Sequence, residues 1–293
     1  MGRTSDLKIR VRLQEDYEFL SNLGYNVLGV FLYGSQNYEM DTENSDIDTK
    51  AIIIPNFEDL ISRKEVSKTY NKPDGSFLDV KDIYSMFNMI KKQGINFVEI
   101  LYTDYKVINP NFVMEWKQMI ESNRDDIARF NPFTTMKAIQ GTLKRLNNIF
   151  DRPNSEHGKE DCEKYEYCRK DFYNIKRLSE FAKRYYDLFV SYACKKRDRF
   201  NYKDLLVPLN KEKMFEYKRI AYNYASVCLS VKHELEETKT LVDRASNWEK
   251  EFEYTIKNNQ LKVNMDINSF MKIVIGRCLL EEFDKKGFNG NNG

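Results

Sequence analysis

Asp46 and Asp48 flank Ile47 in the stretch VFLYGSQNYEMDTENSDIDTKAIIIP, Val30 to Pro55. Side chains alternate along an extended strand, so the two carboxylates project from one face while Ile47 goes to the other. Like charges that close repel unless a cation sits between them, and hard oxygen ligands of this kind suit Mg²⁺ or Mn²⁺. Upstream, Gly34-Ser35 follows a short buried strand and is separated from Asp46 by ten residues. Gly34 allows the close backbone approach a phosphate needs, and Ser35 opens a helical turn whose free N–H groups and hydroxyl can receive phosphate oxygens. An Asp-x-Asp pair or a Gly-Ser turn alone is common by chance. The ordered run of strand, Gly-Ser, polar segment, acid pair and apolar strand implies a joint phosphate and metal site.

A two-metal centre for in-line displacement, with ions about 3.5–4 Å apart, needs a third carboxylate from a neighbouring strand. Asp79, within Phe77-Leu78-Asp79-Val80-Lys81, qualifies, since its offset places it on one face with Phe77 and Lys81. Asp74 and Asp82 are better explained as a turn residue and a helix cap.

Opposite charge is supplied later in the chain. Residues 1–130 hold 16 basic and 21 acidic side chains, and the remaining 163 hold 31 and 24, so the overall +2 conceals an acidic half and a basic half. Such asymmetry points to an anionic ligand between them. Between Lys164 and Arg219 there are 16 basic and 8 acidic residues. Lys170, Asn174, Arg177, Phe181 and Arg184 fall on one helical stripe, and Phe172, Ile175, Ala182 and Phe189 on a separate apolar face. Lys170 and Arg177 are the cations expected to meet a triphosphate. Lys195-Lys196-Arg197 and Arg199 suit either a polynucleotide backbone or an ordinary basic turn. The aromatics Tyr165, Tyr167, Phe172, Tyr173, Phe181, Tyr185 and Tyr186 are read as core rather than as base-stacking platforms.

These residues resemble the DNA polymerase β-type nucleotidyltransferase superfamily, whose pattern is Gly-Ser, a gap, Asp-x-Asp and a later acid. Within it they are most similar to the nucleotidyltransferases associated with RNA-ligase and RNA-repair pathways. Asn96, Glu99 and Leu101 match that group's N-x-x-E-x-L segment, Lys170 and Arg177-Leu178 its helix, and Val207 to Leu209 with Tyr217-Lys218-Arg219 its later basic motif. Two positions depart: Glu39 stands where the family usually has glycine, and Asn174 where it usually has histidine. The resemblance implies an NTP substrate, metal on Asp46, Asp48 and Asp79, phosphates held by Gly34, Ser35, Lys170 and Arg177, and an RNA acceptor such as tRNA or a repaired end. A protein or small-molecule acceptor, oligonucleotide signal synthesis and a non-catalytic nucleotide- or RNA-binding module are the alternatives.

The elements that must position these groups can be read from periodicity. A helix is expected from Ser5 to about Asn22 with Gly24 as its stop, strands at Leu28–Tyr33, Asp46–Ile54 and Phe77–Lys81, and short helices after Asp82 and over Ile95–Tyr102. After Pro110 the signals are helical, over 111–121, 133–150, 161–196, 210–237 and 266–286. The expected class is α+β: an α/β nucleotidyltransferase domain, residues 1–131, then an all-helical domain, 132–293, hinged at Asn131-Pro132, with a loose tail at 290–293. Of the five cysteines (Cys162, Cys168, Cys194, Cys228, Cys278) none forms a CxxC pair, and with His157 and His233 they match no zinc finger. With no secretory signal and no apolar run of about 18 residues, the reading is a cytoplasmic protein with reduced thiols and surface histidines.

Overall fold

The computed structural model describes residues 3–43, 45–62, 64–147, 156–193 and 201–285. The readings at Cys194, at Lys195, Lys196, Arg197 and Arg199, at 148–150, at the His157 side chain and at the 290–293 tail lie outside what is described. In chain order the elements are α1 (Asp6–Asn22), β1 (Asn26–Leu32), β2 (Thr49–Ile54), α2 (Phe57–Ile61), β3 (Ser67–Asn71), β4 (Phe77–Asp82), α3 (Ile83–Lys91), α4 (Ile95–Val98) and β5 (Lys106–Ile108). There follow α5 (Val113–Glu115), α6 (Arg124–Ala128), α7 (Pro132–Leu146), α8 (Glu156–Tyr165), α9 (Arg169–Ala193), α10 (Lys203–Leu206), α11 (Lys211–Arg219), α12 (Tyr224–Glu251) and α13 (Glu253–Lys285). The molecule is α+β.

The strands form one mixed sheet in the order β3-β4-β2-β1-β5, with β2 and β4 parallel and the other pairs antiparallel. One face packs on α1: Ile9, Leu13 and Leu20 meet Val27, Val30, Leu32, Ala51, Ile53, Leu78 and Val80. The other face, through Leu28, Phe31, Ile52 and Ile54, packs on the helical half. Register in β1 slips between Val27 and Gly29. That bulge changes the phase so that Phe31 and Tyr33 follow Leu28 onto the helical face. Gly29 has to lack a Cβ, since one there would lie 2.9 Å from the Val107 carbonyl of β5.

Phe31 packs against Trp116 with ring centres 4.9 Å apart and planes tilted by 39°, and Trp116 meets Phe270 of α13 at 5.9 Å. One apolar core therefore runs from the sheet to the last helix, and burying each such ring contributes about 1.5–3 kcal/mol. At the expected hinge, the Asn131 side chain accepts the Thr134 N–H at 2.9 Å and Pro132 opens α7.

Two expected helices are broken. The 161–196 segment divides at Glu166, whose left-handed backbone (φ 67°) separates α8 from α9. The 210–237 segment divides between Arg219 and Tyr224, where Asn223 caps α12 through the Ser226 N–H. Strands β3 and β5 carry no apolar alternation; both are sheet edges, and β3 is largely exposed.

Candidate active site

At the end of β1 the chain turns sharply at Gly34, whose φ of 97° lies in the left-handed region. The turn's internal bonds begin at Asn37 N–H to Gly34 C=O, 3.0 Å, and Tyr38 N–H to Ser35 C=O, 3.2 Å. The Ser35 and Gln36 N–H groups thus stand at its open end. The Gly34 N–H does not: Glu99, fully buried just after α4, accepts it at 2.8 Å and also accepts the Tyr38 hydroxyl. The Gln36 side chain donates to the Asp46 carbonyl at 2.7 Å, tying the turn to the acid segment. Glu39 adopts φ 56°, the left-handed conformation that glycine holds at least cost, and pairs with Lys211 of α11.

Strand pairing in β2 starts at Thr49, so Asp46 and Asp48 lie in the extended run before it rather than in the strand itself. Alternation holds all the same: Ile47 is buried against the α1 side, and Asp48 shares a face with Lys50 and Ile52. Asp48 accepts the Phe77 N–H at 3.1 Å. Burial pushes its carboxyl up to about 6, and the Asp46 charge adds to that, while the Phe77 N–H, Lys170 and Arg12 work the other way.

Asp79 lies beside Lys50 in the parallel β2–β4 ladder, on the same sheet face. Its carboxylate is held by Lys50 at 2.8 Å and by Lys81 at 3.5 Å. Lys50 in turn sits 4.0 Å from the Tyr33 ring centre and 4.5 Å from that of Phe97. Among the described residues no group of three Asp, Glu, His or Cys side chains is close enough to share a metal. Asp46 and Asp48 by themselves fit a divalent ion, which would offset their mutual repulsion. Mg²⁺ is commonly held by one or two carboxylates, with phosphate oxygens and water completing its shell.

The facing wall comes from α9 and α11. Lys170, Tyr173, Asn174, Arg177 and Lys218 close a cleft of about 280 Å³ with Tyr33, Gly34, Ser35, Tyr38, Ser45, Asp46, Asp48 and Asn96. Six of the seven residues singled out by sequence therefore meet in one cavity; Asp79 stays outside its lining. Arg177 is 8 % exposed and lies 4.0 Å over the Tyr38 ring. Its Nε and Nη1 are buried without a hydrogen-bond partner, as is the Tyr173 hydroxyl. Burial opposes the Arg177 charge, but the Tyr38, Tyr173 and Glu99 oxygens outweigh it and hold the guanidinium protonated. Half-buried Lys218 donates to the Met40 carbonyl at 3.2 Å. Its ammonium is lowered to about 8, by burial first and then by Lys170 and Arg177. The cleft brings carboxylates from the segment before β2 together with an excess of cation from α9 and α11, with buried N–H groups that cost about 1–3 kcal/mol each if left unmet.

Most other cations of this region are spoken for. Arg169 pairs with Asp161, Lys176 and Lys183 with Glu234, and Lys203 with Asp104, while Arg184, expected on the phosphate stripe, donates to the Val207 carbonyl at 2.7 Å. Tyr167, Phe172, Tyr173, Phe181 and Tyr185 are core. His233 is exposed beside Glu237. The sequence carries no signal for Tyr38, marks Tyr173 only as core, and gives no role to Glu99, Asn96 or Lys218; the N-x-x-E segment and the Tyr-Lys-Arg triplet are the signals that point to the last three.

No helix among the described residues is long and apolar enough to cross a membrane. No protein-family model and no curated protein matches the chain. Among solved structures, a nucleotidyltransferase-like protein from Exiguobacterium sibiricum 255-15 aligns over 94% of this chain and 92% of its own, with 12% identity and a TM-score of 0.32. At that score neither its fold nor its activity transfers to this chain.

Proposed function

We propose that the chain is a nucleotidyltransferase of the DNA polymerase β type, moving a nucleoside monophosphate from an NTP to an acceptor hydroxyl. The observation that supports this most is the meeting, across one cleft, of Asp46 and Asp48 with buried Arg177, whose Nε and Nη1 lack partners. In this reading Arg177, Lys170 and Lys218 hold the β- and γ-phosphates, and Ser35 lies alongside at the open end of the Gly34 turn. Asp46 and Asp48 hold Mg²⁺ or Mn²⁺, which when bound supplies charge neutralisation and polarises phosphoryl oxygens. The acceptor oxygen bonds to the α-phosphorus, the bond from that phosphorus to the β-bridging oxygen breaks, and pyrophosphate leaves beside the cations. Asp79 is assigned to complete the metal site and to orient the attacking hydroxyl or take its proton; to do so it must release Lys50, which it holds at 2.8 Å.

For the acceptor we infer an RNA end, on the family resemblance and the basic excess of residues 164–219. The internal pairing of Arg169, Lys176, Lys183 and Lys203 favours a second reading with fewer backbone contacts: a protein hydroxyl, a small molecule or a growing oligonucleotide. Incubation with α-labelled NTP and Mg²⁺ or Mn²⁺ separates them. Label on an RNA 3′ end supports the first, and label on protein or in soluble product supports the second. NTP binding with no pyrophosphate from any acceptor leaves a binding module.

A further inference from the structure

A second cavity of about 280 Å³ adjoins the charged cleft and shares Asn96, Asn174 and Arg177 with it. Its remaining walls are mainly apolar, with Ile95 and Phe97 from the α4 side, Ala138 and Ile139 from α7, and Leu178 from α9. Apart from Arg145 and Arg177 nothing that lines it is ionisable. We propose that this cavity seats the base and sugar of the nucleoside triphosphate, and that Asn174 and Asn96 are the residues that read the base. The assignment rests on the nucleotidyltransferase reading.

Three observations carry it. Planar heterocycles bind where apolar walls and an aromatic ring supply contact and a few fixed polar groups supply orientation. Each asparagine amide offers a donor and an acceptor side by side, the arrangement that pairs with a base edge. Lys170, Asn174 and Arg177 recur at i, i+4 and i+7 of α9, so a single helix face runs from the phosphate cations to the amide. Arg177, with buried and unpartnered Nε and Nη1, stands in the wall common to both spaces, where sugar or phosphate oxygens can meet those donors. The acceptor is a poorer occupant. Its hydroxyl has to reach the α-phosphorus beside the metal-binding carboxylates, and no carboxylate lines this cavity, whereas Asp46 and Asp48 line the other.

Calorimetry with tripolyphosphate and with each of the four ribonucleoside triphosphates, in Mg²⁺, tests the assignment on the full chain. The wild type is expected to bind at least one NTP about tenfold or more tighter than tripolyphosphate. Ala138→Phe, which fills the cavity from a half-buried helix position, should abolish that difference and leave tripolyphosphate affinity unchanged; Asn174→Ala should flatten the preference among bases. Thr142→Leu is the milder filling variant should Ala138→Phe fail to melt cooperatively. If folded filling variants keep full NTP affinity, the base sits elsewhere and the proposal is overturned while the nucleotidyltransferase reading stands. If the wild type binds neither tripolyphosphate nor any NTP, both fall.

Discussion

Glu99 Oε1 accepts the Gly34 N–H at 2.8 Å across 65 residues of sequence, and its other oxygen takes the Tyr38 hydroxyl. A fully buried carboxylate thereby fixes the turn that faces Asp46 and Asp48. Burial pushes this carboxyl from its usual 4.5 up to about 7, against the pull of the Tyr38 hydroxyl, the Gly34 N–H, Arg177 and Lys50. With the folded value raised, the folded state keeps a proton that the unfolded chain gives up. The stability this lends is complete below about pH 4.5 and is lost as pH rises through about 7. Urea unfolding between pH 5 and pH 8 should therefore show wild-type stability falling relative to Glu99→Gln by on the order of 1–3 kcal/mol. Parallel pH profiles would contradict the role given to Glu99.

Lys218 gives a second pH signature, in binding rather than stability. Its ammonium, lowered to about 8 by burial and by Lys170 and Arg177, regains a proton when an anion enters the cleft. NTP affinity should therefore drop as pH rises through about 8, with proton uptake at pH 8.5 detectable by calorimetry in buffers of different ionisation enthalpy. Lys218→Met should abolish the uptake; uptake of the same size in the variant would remove Lys218 from the phosphate site.

Arg177 lines the cleft together with Lys170 and Lys218. Its burial and its place over the Tyr38 ring make the side chain part of the packing as well, so Arg177→Ala should lose stability along with affinity. Arg177→Met keeps the stem and removes the charge. We expect it to weaken NTP binding about tenfold or more, the loss of one or two charge-assisted hydrogen bonds, with a smaller change in Tm than Arg177→Ala. Equal NTP affinity in Arg177→Met and wild type would exclude the guanidinium from the site.

Lys50 and Asp79 should behave as a coupled pair. The Lys50 side chain is 5% exposed, so Asp79→Leu strands a buried cation and should cost about 3 kcal/mol or more. Replacing both, Lys50→Met with Asp79→Leu, should recover much of that loss. A double-mutant cycle by urea unfolding is expected to give a coupling of about 1–3 kcal/mol; additive losses would mean the pair is not a unit.

Much of this arrangement is legible in the sequence because it depends on short-range spacing. The alternation Asp46-Ile47-Asp48 survives even though pairing begins at Thr49, since the extended backbone alone sets which way each side chain goes. Lys170 and Arg177 reach one cleft because helical periodicity puts them on one stripe. Glu39 at φ 56° occupies the backbone conformation that a glycine at that position would relieve. What the sequence hides is long-range pairing. Nothing local marks Lys50 as the partner of Asp79, so the ion pair that Asp79 must release to reach a metal could not be read from spacing. The break at Glu166 was missed because no glycine or proline marks its left-handed backbone. Edge strands β3 and β5 were missed because, pairing on one side only, they need no apolar alternation.

Nucleotidyl transfer at Asp46 and Asp48 is tested most directly by pyrophosphate released from α-labelled NTP with Mg²⁺ or Mn²⁺, compared between the wild type and the Asp46→Ala, Asp48→Ala double variant. The wild type should release pyrophosphate with label passing to an acceptor, and the variant should lose at least about 10³-fold while its melting stays cooperative. Release that is undiminished in the variant, or absent from the wild type across RNA, protein and small-molecule acceptors, would contradict it.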